Sequence, residues 1–300
     1  MNFFDTMRKF INPFTDVGFK KIFGQEVSKD LLIDFLNNLL KGERVINDVR
    51  FLDKEQLGFY DDDRSLIYDV LCETPDGERI IVEMQNRSQP FYKNRSVYYA
   101  AQAVVRQGER GKGWQYDVKA VYCISFLNFH QKDISERFRV DVTLMDMETK
   151  QKFSDLLRLI YLQLPLFTKD YTECKNDFER WICVLKDMDI MNRLPDAAKN
   201  SVFRKLAEIG ELSSLTLEER MKYDDALKRY RDTLAVMEGQ KQEGFREGME
   251  KGIEKGIEKG IEKGIEKGKA EIARNLKAAK IDNAIISQTT GLTIEEIDKL

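Results

Sequence analysis

The sequence predicts an α/β core followed by a helical C-terminal extension, and three features carry that prediction. Residues Asn12 to Leu40 show the apolar spacing of two helices. Leu66 to Thr74 and Arg79 to Gln85 are strand-like runs on either side of the turn signal Pro75-Asp76-Gly77. From Gly244 onward the composition changes, with glycine at every fourth residue up to Gly268.

The N-terminal helices have recognisable ends. Thr15 or Asp16 can cap the first, Phe19, Ile22 and Phe23 give it an apolar face, and Gly24 ends it. Leu31, Leu32, Phe35, Leu36 and Leu39 define the second. Arg44 to Leu52 alternates through Val45, Val49 and Phe51, as a strand would. Asp61, Asp62 and Asp63 fit a solvated loop, because consecutive side chains diverge. A helix is expected from about Tyr92 to Gln107, a loop at Gly108, Gly111 and Gly113, and strands over Val118 to Phe129 and Phe138 to Met145. From Lys152 to Met237 the pattern is mainly helical, punctuated by Pro165 and Pro195.

Composition narrows the function. Among 300 residues, 34% are charged, yet the formal net charge is only −3, so any anion-binding surface must be a local patch. No apolar run approaches the 18 residues of a membrane span, and Asp5, Arg8 and Lys9 interrupt the N-terminus before a signal-peptide core forms. Cys72, Cys123, Cys174 and Cys183 lack C-x-x-C spacing, which fits free thiols in a reducing cytoplasm. His130 is the only histidine, which argues against a His-rich zinc site or a Ser-His-Asp triad.

The hairpin carries the chemistry. A three-residue loop at Pro75-Asp76-Gly77 would pair Thr74 with Glu78 and, continuing the register, Asp69 with Glu83. Two carboxylates about 5 Å apart repel by roughly 3 kcal/mol at an effective dielectric of about 20. A divalent cation reverses that sign, and Mg²⁺ favours one or two carboxylates with water and phosphate. Gln85 shares the strand face of Glu83. Ile80, Ile81, Val82 and Met84 surround Glu83, and a carboxylate in such a run needs a partner. The spacing is equally that of a solvent-facing strand with a surface Glu and Gln. In the helix that follows, Arg95, Tyr99, Gln102 and Arg106 share one face, and Val97, Ala100, Ala101 and Val104 another. With Arg87 and Lys93, and with Arg110 and Lys112 beyond the helix, they form a basic patch suited either to nucleic-acid phosphates or to plain solvation.

The segments NPFTDVGFKKIFG and YDVLCETPDGERIIVEMQNRSQPFYKNRSVYYAAQAVVRQG resemble the PD-(D/E)XK nuclease family transposases, relatives of the recombination-promoting nucleases. The resemblance covers roughly Asn12 to Phe129 and implies a restriction-endonuclease-like α/β core, a mixed sheet flanked by helices. It also implies Mg²⁺-dependent DNA cleavage, with Mn²⁺ able to substitute. Carried over, Asp69 and Glu83 bind the metal, and Gln85 replaces the lysine of the name motif. A glutamine can hydrogen-bond water but brings no charge and is a poor base, so more of the activation falls on the metal. Asp16 has two readings, a helix cap or a member of the site.

Four segments are expected: a nuclease core over residues 1–150, a helical region packed on it over 151–238, a Gly-x-x-x repeat helix or tether over 239–269, and a small helical module over 270–300. Ile253, Ile257, Ile261 and Ile265 follow the glycine period, which suits a self-associating helix and hence a homo-oligomer. Seven glycines forfeit roughly 7 kcal/mol of helix propensity against alanine, so a partner or a flexible tether is implied. Ile286, Gly291, Leu292 and Ile297 fit a helix-turn-helix, but Glu295, Glu296 and Asp298 would oppose phosphates. Three functions follow: a metal-dependent DNA endonuclease linked to recombination or mobile elements, a nuclease-fold interaction protein that has lost activity, and a DNA-binding regulator using the C-terminal helices.

Overall fold

The computed structural model describes residues 8–56, 66–108, 114–191 and 201–300. The expected loop acids Asp61–Asp63, the basic residues Arg110 and Lys112, the glycines Gly111 and Gly113, and Pro195 lie outside them. Helices α1 (Asp16–Phe23) and α2 (Lys29–Leu39) open the chain. Strands β1 (Arg50–Phe51), β2 (Glu55–Gln56), β3 (Leu66–Ile67), β4 (Val70–Glu73) and β5 (Arg79–Gln85) follow. Next come α3 (Tyr92–Val105), β6 (Val121–Leu127), β7 (Arg139–Met145) and β8 (Lys152–Gln163). Helices α4 (Asp177–Asp187), α5 (Ser201–Gly210), α6 (Leu217–Ala278), α7 (Asn283–Thr290) and α8 (Ile294–Asp298) complete it.

Among the described residues, six strands form a mixed sheet in the order β1-β4-β5-β6-β8-β7. β5, β6 and β8 run parallel, while β1, β4 and β7 pair antiparallel with their neighbours. β2 and β3 form a separate two-stranded pair. The pleat sorts residues by parity. Ile80, Val82, Met84, Tyr122, Ile124, Phe126, Ile160 and Leu162 join the main apolar core with α1, α2, α4 and α5. The opposite face carries α3, which packs on β6 and β8. There polar contacts fasten it: Tyr92 OH donates to Ser125 Oγ at 2.8 Å, and the Ser96 and Tyr161 hydroxyls are 2.7 Å apart.

Three expectations need correction. Lys152–Gln163 is a twelve-residue strand, not a helix. Phe153, Leu156, Leu157 and Ile160 mimic helical spacing, but the second half of the strand is buried on both faces, and continuous apolarity hides a period of two. The sheet therefore runs across residue 150, with β7 and β8 on either side of it. Only Arg50–Phe51 of the expected Arg44–Leu52 strand is a ladder. Upstream, the Asn37 amide exchanges hydrogen bonds with both Ile46 N (2.7 Å) and Ile46 O (2.8 Å), doing the work of a neighbouring strand. In α3, Val97 and Ala101 are exposed, and the buried stripe is Tyr92, Ser96, Ala100 and Ala103.

The contacts divide the chain into residues 1–235 and 236–300. In the second unit the glycine repeat is helical, and a Cβ added at any glycine from Gly244 to Gly268 would meet nothing within 4 Å. The glycine deficit is thus accepted within a helix. Ala273, Ile286 and Ile297 form a small core with Leu276, Leu292 and Leu300. Gly291 takes the left-handed conformation (φ 72°) between α7 and α8. Among the described residues, no helix is long and apolar enough to cross a membrane.

The start of α1 is tightly specified. Asn12 Oδ1 accepts from Phe14 N at 2.8 Å, and Asn12 O accepts from Thr15 Oγ1 at 2.9 Å. Thr15 Oγ1 in turn accepts from Gly18 N at 3.0 Å, so Thr15 is the cap. A Cβ at Gly18 would lie 2.2 Å from Asn12 O. Gly18→Ala is therefore expected to lower the unfolding free energy by about 1–3 kcal/mol. Urea denaturation measures this, and an unchanged midpoint contradicts it.

Candidate active site

The hairpin forms as its turn residues dictate. Gly77 has φ 85°, Gly77 N donates to Thr74 O at 2.9 Å, and Thr74 N donates to Glu78 O at 2.9 Å. The ladder runs from Glu73↔Arg79 to Val70↔Val82, so Asp69 and Glu83 come next. There the backbone pairing stops, and side chains replace it. Met84 N donates to Asp69 Oδ2 at 2.8 Å, and Asp69 N donates to Glu83 Oε1 at 3.3 Å. Each acid thus satisfies a main-chain donor that the end of the strand would otherwise leave unpaired. On its other side, Glu83 is in register with Ser125 of β6.

Burial governs the protonation of the pair. Glu83 is 6% exposed. Burial first, and then the charge of Asp69, push its carboxyl up to about 8, against the opposing Asp69 N–H and the positive charges of Arg95 and Lys20. Burial also raises Asp69, opposed by the Met84 N–H, Lys20 and Arg95, while Asp16 adds to the rise.

Gln85 is committed at both ends. Its Oε1 accepts from Arg95 NH2 at 2.7 Å, and its Nε2 lies 3.4 Å from Glu83 Oε2. Arg95 also donates to Gln89 Oε1 at 2.6 Å, and its guanidinium stands over the rings of Tyr92 (5.1 Å) and Tyr99 (5.8 Å). Tyr99 packs edge-on against Tyr68 at 5.4 Å, and the Tyr68 hydroxyl donates to Tyr99 O at 3.3 Å.

The expected basic face is therefore divided. Arg95 and Tyr99 turn toward the acids. Gln102 is half-buried and donates to Tyr98 OH at 3.1 Å. Arg106, also half-buried, accepts on its carbonyl from Arg79 NH2 at 3.4 Å. Arg87 and Lys93 are exposed, and Lys93 pairs with Asp133 at 3.1 Å. Asp16 is not the cap of α1; it forms an ion pair with Lys20. From the sequence alone, Lys20 is assigned no role. Its i+4 spacing from Asp16 was the available signal. His130 lies 3.2 Å from Glu136 and 3.3 Å from Ser135 O. All four cysteines are free and buried.

Residues 13–240 match the model of the PD-(D/E)XK nuclease family transposases. The chain belongs to that family. No curated protein and no solved structure matches it. The mixed sheet flanked by helices is consistent with the PD-(D/E)XK α/β fold. In this PD-(D/E)XK chain, Gln85 stands two residues after Glu83, where the name motif has lysine. Among the described residues, no group of three His, Cys, Asp or Glu could hold a metal. Asp69 and Glu83 supply two carboxylates, which is the number Mg²⁺ commonly takes from protein. Their repulsion and burial are the conditions that a divalent cation relieves.

The raised Glu83 gives a stability prediction. An unfolded glutamate ionises near its ordinary value of 4.5, while the folded one keeps its proton up to about 8. The folded state then holds more protons between these values, so stability falls as pH rises from 4.5 to 8. The loss is on the order of a few kcal/mol. Glu83→Gln should flatten this slope in chemical denaturation followed across pH. A slope shared by wild type and variant contradicts the assignment.

Proposed function

We infer that this chain is a Mg²⁺-dependent DNA endonuclease that hydrolyses phosphodiester bonds in the cytoplasm, in a recombination or mobile-element context. The observation that carries this reading is the interlocked Asp69–Glu83 pair at the end of the β4–β5 hairpin. Asp69 and Glu83 would hold the ion, with Mn²⁺ a substitute, and the metal would supply water activation and neutralisation of phosphate charge. The chain's own residues set the surroundings. Arg95 locks the Gln85 amide, and Gln85 can orient water but cannot act as a strong base. Arg95 also keeps a permanent positive charge beside the acids. Arg87 and Lys93 are exposed for phosphate contact, while Tyr99 supports Arg95 from α3.

Plasmid nicking by purified protein, with and without Mg²⁺, tests the activity. Asp69→Ala and Glu83→Ala should each lower the rate at least about 100-fold. Arg95→Ala should lower it by about 10–100-fold through the loss of Gln85 placement. Equal cleavage by wild type and Asp69→Ala rejects the nuclease assignment.

A second reading, an inactive nuclease-fold protein that assembles through its C-terminal repeat, draws on one observation. Ile253, Ile257, Ile261 and Ile265 are 55–59% exposed beside the glycine stripe. Self-association by that face predicts an oligomer in analytical ultracentrifugation that Ile257→Glu with Ile261→Glu converts to monomer. A wild-type monomer removes the oligomer; metal binding that depends on Glu83 argues against a bare scaffold.

A further inference from the structure

Cleavage of a phosphodiester develops negative charge at the phosphate, and Gln85 brings no positive charge to meet it. Arg95 is charged but immobilised by two amide acceptors and two aromatic rings. Helix α1 meets the same end of β5. Asn86, which follows Gln85, donates through Nδ2 to Phe14 O at 2.7 Å, just before the helix begins. Phe19 and Phe23 then pack on Phe126 of β6, with ring centroids at 5.6 and 6.1 Å. With Phe19, Ile22 and Phe23 turned into the core, helical spacing leaves Asp16 and Lys20 one turn apart at the rim.

Lys20 and Asp16 form an ion pair whose side chains are 27% and 55% exposed. The charge of Lys20 reaches both acids, opposing the rise of Asp69 and of Glu83. Its neighbour Lys21 faces elsewhere and is bound to Glu219 at 2.8 Å. Exposed ion pairs contribute little net energy, and an ammonium on a four-carbon stem rotates freely. A phosphate can therefore replace Asp16 as the partner of Lys20 at small cost.

We propose that Lys20 contacts the scissile phosphate, supplying from α1 the positive charge that a lysine at position 85 would bring, while Asp16 holds its ammonium between turnovers. This rests on the nuclease reading above. Lys20 acts as a fixed charge and transfers no proton.

The test is lysine acetylation read by mass spectrometry, on the full chain with Ca²⁺ and a short phosphorothioate DNA duplex, with binding followed by fluorescence anisotropy. Acetylation of Lys20 should fall at least about fivefold when DNA binds, while Lys21 changes by less than about twofold. Lys20→Met should reduce single-turnover cleavage in Mg²⁺ by about 100-fold or more with DNA affinity changed less than about threefold, and Lys20→Arg should recover part of the rate. If DNA binds and Lys20 stays as reactive as before, or if Lys20→Met cleaves at the wild-type rate, the proposal is overturned and the nuclease reading stands. If the duplex does not bind wild-type protein, both fall together.

Discussion

The candidate site depends on two crossed hydrogen bonds, one from Met84 N–H to the Asp69 carboxylate and one from Asp69 N–H to the Glu83 carboxylate. A hairpin that ends inside a protein leaves main-chain donors needing partners. Here the partners are the two acids themselves. The sheet therefore draws together two acids that would repel each other if both were ionised, and it does so where burial has removed the water that would screen them. The locked guanidinium of Arg95 and the charge of Lys20 offset that concentration of charge, while Asp16 adds to it.

The two faces of the sheet divide the labour. One face is a continuous apolar layer, in which Phe19, Phe23, Phe35, Phe126 and Trp181 interlock through ring contacts. That layer fixes α1, and with it Asp16 and Lys20. The other face mixes apolar and polar positions, and two of the polar ones, Ser125 and Tyr161, are met by Tyr92 and Ser96 of α3. Hydrogen bonds of this kind specify direction as well as contact, so the helix that carries Arg95 has little freedom to drift. The apolar face holds the helix that bears Lys20, and the opposite face bears Glu83.

Local signals in the sequence were sufficient wherever chain-adjacent residues decide the outcome. Pro75-Asp76-Gly77 determined the hairpin register, and with it the meeting of Asp69 and Glu83. Thr15 and Gly24 marked the ends of α1. Sequence reading failed where distant residues decide. Lys152–Gln163 becomes a strand because β6 and β7 offer ladders on both sides, which no local pattern reveals. Ile46 loses its ladder to the Asn37 side chain. Arg95 was legible as a basic residue on a helix, but its attachment to Gln85 and Gln89 exists only once α3 is laid against the end of β5. Lys20 went unseen for the same reason, since the site it borders is made by strands more than forty residues away.

The central claim is that two buried acids share one divalent cation, and calorimetric titration with Mn²⁺ at pH 7, repeated in buffers of different ionisation enthalpy, tests it most directly. Because Glu83 holds its proton up to about 8, binding should take up roughly one ion per chain and release roughly one proton, and Glu83→Gln should abolish both. Binding that persists in Glu83→Gln, or that releases no proton, would contradict the claim.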